Sequence, residues 1–384
     1  MAEDSTIQAI RALLAAGDAH FQAASYQEAL QQYQAARTRA EQAGNLRYAA
    51  FSINNIGLVY DALGQYEQAC EKYGQALEGF SNLQGSSDTA SDAVIRVSQA
   101  TVTNNLGMAN TNLKKFGEAA DLYQAALSSL EPLVAQLKAE EHRPHEQSSE
   151  TLQQLRSLDL DERTGQVWHN MGFNLSRQSR SAPSGQSTEL VHQAIETYTK
   201  AIPLRKTATN QGETLNSLAF AYGFLLETTG NNEWFDKAIA ALDRAIELFE
   251  SSQPPNREGL ATTYDTKGHL FTLASQQNQS LLTEAKAAYD KSLQVAEQIL
   301  AFLDDVDKRK NYAERVRETY TYRDFLMVIE KIPEPTLEKL GIQKQDLIGW
   351  VDPSSQSTSL LSRISPESIL SAIPRVVEIV DDLA

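Results

Sequence analysis

Apolar and small residues return along this chain at helical spacing, separated by glutamine, glutamate and asparagine, and the arrangement recurs. It is clearest over residues 54–77, in Asn54-Asn55-Ile56-Gly57, Tyr60, Gly64, Tyr66, Ala69, Tyr73 and Ala76-Leu77. Steps of three and four residues put these side chains on one stripe of a helix, so the stretch predicts two helices with a turn between them. Small residues fall where the helices must touch, and the aromatics pack around them.

The pattern acts as a ruler for the rest. A first copy over 5–43 carries Gly17 and Phe21 on one helix, Ala24-Ser25 at the turn, and Tyr26, Ala29, Tyr33 and Ala36 on the next. A third, over 100–127, reads Asn104-Asn105-Leu106-Gly107, then Phe116, Ala119, Tyr123 and Ala126. A fourth opens with Trp168, His169, Asn170, Met171 and Gly172 and resumes at Ala194, Tyr198 and Ala201, after an insertion over 179–187 whose composition reads as a flexible loop. The fifth runs through Leu215, Leu218, Ala219 and Tyr222 to Ala238, Leu242 and Ala245. The sixth runs through Tyr264, Gly268 and Phe271 to Ala285, Tyr289 and Ser292. Both carry extra residues at the turn, over 228–235 and 274–281, and residues 84–92 read as a link between the second and third copies. A chain of 384 residues exceeds the usual size of one core, and the recurrence favours a repeat array.

Ile53, Ile56, Gly57, Tyr60, Gly64, Tyr66, Ala69, Tyr73 and Ala76 together resemble the tetratricopeptide repeat. Gly17, Gly57 and Gly107 lie 40 and then 50 residues apart. That long period, with the Asn-Asn-Leu-Gly form, looks most like the kinesin light chain style of the repeat. The resemblance covers roughly 5–303 and implies an all-α, right-handed superhelical solenoid of about six helix pairs. Charged, helical residues 304–331 are expected to cap its last apolar face. Residues 332–384 form a Pro- and Ser-rich tail ending in a short amphipathic stretch, Ile369, Leu370, Ile373, Val376, Val377, Val380 and Leu383, expected either to dock on the array or to occupy its groove.

The resemblance further implies that the first helix of each pair lines the inner groove. By register this assigns Phe51, Asn54, Leu58 and Asp61 from the second copy, and Thr101, Asn104, Met108 and Asn112 from the third. The fourth gives Gln166, His169, Phe173 and Arg177, and the fifth Glu213, Asn216, Phe220 and Phe224. Asn54, Asn104 and Asn216 share one offset, with His169 in the fourth copy's place. A carboxamide both donates and accepts, which suits a peptide backbone, so a column of them either holds an extended segment or bonds neighbouring helices to each other. Asn55, Asn105 and Asn170, one residue along, are assigned the structural role. The basic groove of the family, which clamps a C-terminal carboxylate, is poorly matched here: of the corresponding positions Leu14, Asp18, Asn55, Thr101 and Asn105, only Asn55 fits.

Composition narrows the function. A formal net charge of -16 repels a phosphate backbone, which excludes nucleic acid as the expected partner. No apolar run reaches the ~18 residues of a membrane span, mean hydropathy is -0.40, and the start Met1-Ala2-Glu3-Asp4 lacks a secretory signal, so a soluble cytoplasmic protein is expected. The lone cysteine, Cys70, has no His or Asp at motif distance. Pro144 separates His142 from His145 and breaks the helix that would align them on a metal. His20 reads as packing. With no phosphate loop, nucleophile elbow or zinc motif, no catalytic residue, cofactor or metal is assigned. The expected function is a non-catalytic scaffold or adaptor that captures a peptide or helix of another protein. The alternative is a regulatory or assembly subunit whose own tail fills the groove until a partner displaces it.

Overall fold

A computed structural model describes residues 2–83, 89–141, 150–275 and 278–302, together with Tyr312, Thr319 and Arg323. The described residues form thirteen α-helices and two single 3-10 turns, with no strand among them, as an all-α helical solenoid requires. They divide into two compact units, Met1–Lys206 and Thr207–Ala384, so the array expected over 5–303 is parted between its fourth and fifth helix pairs.

In the first unit the pairs are α1 (Ala2–Gln22) with α2 (Tyr26–Gln42), α3 (Leu46–Ala62) with α4 (Tyr66–Ser81), α5 (Thr89–Asn112) with α6 (Phe116–Glu141), and α8 (Leu160–Ser179) with α9 (Ser184–Ala201). The short α7 (Glu150–Ser157) intervenes, and a 3-10 turn at Ile202–Leu204 closes the unit. The second unit holds α10 (Ala208–Thr229) with α11 (Asn232–Ser251) and α12 (Arg257–Ser275) with α13 (Leu282–Phe302).

One contact repeats through both units. The buried rings of Tyr33, Tyr73, Tyr123, Tyr198 and Tyr289 pack directly against Gly17, Gly57, Gly107, Gly172 and Gly268 of the partner helix. A Cβ at any of these glycines would stand 2.5–2.8 Å from a ring carbon, inside van der Waals contact. The fifth pair departs from this: Ala219 holds the glycine's offset, and Phe249 of α11 is instead set between Gly212 of α10 and Gly259 of α12. Ala29, Ala69, Ala119, Ala194, Ala238 and Ala285 are fully buried on the second helices, which lets each approach its partner closely.

The first three pairs share a turn. The residue seven positions after the glycine is left-handed in each, Ala24 (φ 53°), Gly64 (φ 73°) and Lys114 (φ 61°). The next amide then reaches back five residues, Ser25 to His20, Gln65 to Tyr60 and Lys115 to Asn110, at 2.8–2.9 Å. Only Gly64 adopts this backbone without steric cost; Ala24 and Lys114 each carry about 1 kcal/mol of strain.

The connections differ from expectation in three places. The link expected over 84–92 stops short of Thr89, where α5 begins. The 179–187 insertion shrinks to 180–183, because α9 begins at Ser184 behind Pro183, and the Ser187 hydroxyl donates to the carbonyls of Ser179 and Ala182. The long turn over 228–235 contracts to Gly230 and Asn231, where left-handed Gly230 stops α10 and the Asn231 side chain caps α11 by accepting from the Glu233 amide at 3.0 Å. α7 was not anticipated; its Leu152 and Leu155 complete the core over α6.

Of the expected cap over 304–331, three residues are described. Tyr312 is buried, the Thr319 hydroxyl donates to Asp265 of α12 at 2.7 Å, and Arg323 lies 3.6 Å from Asp290 of α13. The remainder of that segment, the tail over 332–384 and the His142–His145 stretch lie outside the described residues.

The glycine–tyrosine contact predicts opposite outcomes on adjacent helices. Gly57→Ala forces Tyr73 off its seat and is expected to cost about 1–3 kcal/mol. Gly74→Ala, on the exposed face of α4 with nothing within 4 Å, is expected to stabilise by about 0.5–1 kcal/mol. Urea denaturation of the two variants checks the pair; equal effects would show that the contact does not constrain the fold.

Candidate functional site

In the first unit, the first helices α1, α3, α5 and α8 are joined by side chains counted from the packing glycine. Two and three positions before it, each of α3 and α5 carries an asparagine pair. The amide of Asn105 on α5 donates to the Asn54 oxygen on α3 at 3.1 Å, and the amide of Asn170 on α8 donates to the Asn104 oxygen on α5 at 3.0 Å. Asn54, Asn104 and Asn170 are buried. Asn54 also donates to Asn55 at 3.1 Å, and Asn55 donates to Asp18 on α1 at 3.4 Å. The first asparagine of a pair thus accepts from the helix after it, and the second donates to the helix before it. The oxygens of Asn54 and Asn104 are therefore engaged between repeats, and the structural role assigned to Asn55, Asn105 and Asn170 is seen in all three.

A second row runs beyond the glycine. The Arg177 guanidinium on α8 donates to the Asn112 oxygen on α5 at 2.8 Å, and Asn112 hydrogen-bonds the Asp61 carboxyl on α3. Burial raises the Asp61 carboxyl above the ordinary carboxylate range, and the bond from Asn112 offsets this only in part. One Asp61 oxygen and the Tyr73 hydroxyl are buried without a hydrogen-bond partner among the described residues. Deeper in the same row, the Thr111 hydroxyl meets Tyr123 at 3.0 Å and donates to Asn174 at 2.9 Å.

Between the two rows, immediately after the glycine, stand Asp18, Leu58, Met108 and Phe173. Asp18 is exposed and accepts from the Tyr33 hydroxyl at 2.7 Å; the three apolar side chains are half-buried. The Arg177 guanidinium lies 5.6 Å from the centre of the Phe173 ring.

The remaining expected residues take varied places. Phe51 is half-buried and packs edge-on against Phe80 at 5.1 Å, at the margin of two core clusters. Thr101 accepts from Arg163 at 2.8 Å, and burial lowers that guanidinium's pKa. Gln166 is exposed. His169 lies 5.6 Å from the Tyr198 ring; burial, with the nearby Arg205 charge, pushes its pKa down to about 4, so it is neutral at pH 7. Arg205 itself forms a buried ion pair with Glu162 at 3.1 Å.

In the second unit Glu213 and Phe220 are exposed and Phe224 is half-buried. The buried oxygen of Asn216 has no hydrogen-bond partner among the described residues. Its donor would stand at Thr266, two before Gly268, but that hydroxyl bonds the Thr262 carbonyl of its own helix at 3.0 Å. An open depression of about 410 Å³ beside Pro254, Arg257, Ile299 and Phe302 contains none of the expected site residues. No cluster of three potential metal ligands occurs among the described residues, and no described helix is long and apolar enough to cross a membrane.

Sequence reasoning named Asp18 only as a departure from the basic groove, and passed over Thr111 and Asn174. Asp18 had a signal, because it follows Gly17 as Leu58 follows Gly57. The hydroxyl–carboxamide bond of Thr111 and Asn174 links helices 63 residues apart and has no local signature.

Residues 52–78 match the model of the tetratricopeptide repeat. No curated protein matches the chain. Several solved structures are similar to it at low identity. BtubC (BKLC) from P. vanneervenii is 17% identical, over 64% of this chain and 89% of that one, with a TM-score of 0.39. The TPR2AB-domain of yeast Sti1, in its pHSP90 complex, is 18% identical over 81% and 96%, with a TM-score of 0.26. Yeast Tom70 is 13% identical over 96% of each chain, with a TM-score of 0.22.

Two predictions follow from the rows. Asn170→Ala strips the buried Asn104 oxygen of its donor and is expected to cost about 1–3 kcal/mol, read by urea denaturation; a loss no larger than that of Gln68→Ala, at an exposed position of α4, would remove the ladder from the stabilising contacts. His169 is neutral in both folded and unfolded chain above its ordinary pKa of 6.5. Between 6.5 and about 4 the unfolded chain takes up a proton that the folded one does not, so stability falls as pH drops. His169→Asn, which restores the residue of neighbouring repeats, should therefore lose less stability than the parent between pH 7.5 and 5, by up to about 2 kcal/mol. Parallel acid limbs in the two denaturation series would show that this imidazole does not set the acid response.

Proposed function

We propose that this protein is a non-catalytic interaction scaffold of the cytoplasm, and that the first-helix face of its first unit receives a segment of a partner protein. The observation that carries the reading is the half-buried apolar file of Leu58, Met108 and Phe173, one residue from each of three successive helices. Core side chains at such regular offsets are normally covered, whereas these keep part of their surface and lie between two polar rows. The rows leave donors over: Arg177 uses one of its five N–H groups on Asn112, and the carboxamides of Asn55 and Asn112 lie at the half-buried edge. Asn54 and Asn104 set the spacing of the file and meet an occupant only at their margins.

The corresponding line in the second unit has exposed Phe220, with Phe224 and Asn216 beside it, and is read as a second face of the same kind. The 40- and 50-residue spacing and the asparagine pairs support the kinesin light chain style among tetratricopeptide repeats.

Site-specific photocrosslinking in the source cells tests the reading. A photoreactive phenylalanine analogue at Met108 or Phe173 is expected to give a discrete protein adduct, and one at exposed Gln68 on α4 none. Equal labelling at Gln68, or adduct loss only when a variant also unfolds, would overturn it.

A further inference from the structure

The face is charged along its length. Beside the apolar file its acids are Asp18 on α1 and Asp61 on α3, and its base is Arg177 on α8. Hydrogen bonds keep this order. Two relays run from later helices to earlier ones and end on carboxylates: Asn105 to Asn54 to Asn55 to Asp18, and Arg177 to Asn112 to Asp61. Every carboxamide in them turns its NH₂ toward the acidic end, so the amide dipoles add to the field of the charges rather than cancel it. Arg11, at the far edge of α1, is held on the Tyr48 hydroxyl at 2.6 Å, outside the file that holds Asp18.

Resting on the binding role proposed above, we propose that this face reads the direction of its ligand. The occupant is an extended segment of a partner protein with a lysine or arginine at one end, apolar residues in the middle and a carboxylate at the other. The cation lies over Asp18, the apolar side chains over Leu58, Met108 and Phe173, and the carboxylate meets the remaining donors of Arg177.

The spacing of the helices sets the spacing of the motif. Direct side-chain bonds make α3 and α5, and α5 and α8, neighbours, and neighbouring helices generally run roughly 8–10 Å apart. A fully extended strand returns to one face every ~6.6 Å, which is too short. A polyproline-II segment has about three residues per turn at ~3.1 Å each, so it presents every third side chain about 9 Å apart. The ligand motif is therefore cation, then apolar residues at every third position, then acid, over about twelve residues. Such a segment loses little conformational entropy on docking, because polyproline II is already a major conformer of the free chain.

Fluorescence anisotropy on the full chain tests this with capped, labelled peptides. The forward probe is Lys-Ser-Pro-Leu-Ser-Pro-Leu-Ser-Pro-Leu-Ser-Glu. The controls are the same peptide with its Lys and Glu exchanged, and a neutral one with serine at both ends. The forward peptide is expected to bind at least about tenfold tighter than the exchanged one in low salt, with the gap closing at 1 M salt. The Asp18→Lys, Arg177→Glu double variant should reverse the preference, with circular dichroism confirming that it folds. If that variant unfolds, Arg177→Gln should narrow the gap, and an unchanged gap would overturn the polarity. Equal binding of all three peptides retains the face as a docking surface and overturns its polarity. No binding of the forward peptide overturns the motif, and the crosslinks from Met108 and Phe173 then decide the binding role separately.

Discussion

The helix pairs of the described residues depend on how closely two helices approach where an aromatic ring packs against a glycine. A ring carbon 2.5–2.8 Å from where a Cβ would be leaves no room for a larger residue. The tyrosine therefore fixes the separation of its helix pair, and the buried alanines at Ala69, Ala119 and their equivalents keep it the same from pair to pair. The contact also fixes rotation. With the glycine turned toward its partner, the residue after it, Asp18, Leu58, Met108 or Phe173, stands on the neighbouring stripe. The candidate site is thus a by-product of the packing code, one position out of phase with it.

This explains what could be read from the sequence. The glycine, tyrosine and alanine positions are local, periodic and sterically demanding, so six helix pairs were visible, including the weak fifth and sixth. Connections were less legible because a helix start depends on single capping events. Ser187 reaching back to two carbonyls, and Asn231 capping α11, turn apparent loop residues into helix. α7 was missed because eight residues with two core leucines carry too little periodicity to stand apart from linker.

For the site, register located the face and chemistry changed its emphasis. The asparagine column was visible as a column, but a carboxamide that can bond a peptide can equally bond the next helix, and residues 51 and 66 positions apart cannot be paired by inspection. The structure gives Asn54 and Asn104 to inter-repeat bonds, and the half-buried apolar positions between the rows are Leu58, Met108 and Phe173. Asp61 kept its place on the face and acquired a character that sequence could not supply. Its carboxyl is half-desolvated beside the Tyr73 hydroxyl, in a position where the third repeat has a neutral threonine.

The asparagine ladder has a grammar of its own. Each rung is shared between two repeats, one lending the oxygen and the next the amide, so no repeat is complete alone. A repeat copied or inserted without its pair would leave a lender or a borrower unmatched, as Asn216 is left where Thr266 turns back on its own helix. Helical repeats are usually pictured as beads that can be added or deleted freely. Within the first unit these beads are keyed, and their order is part of the molecule's chemistry.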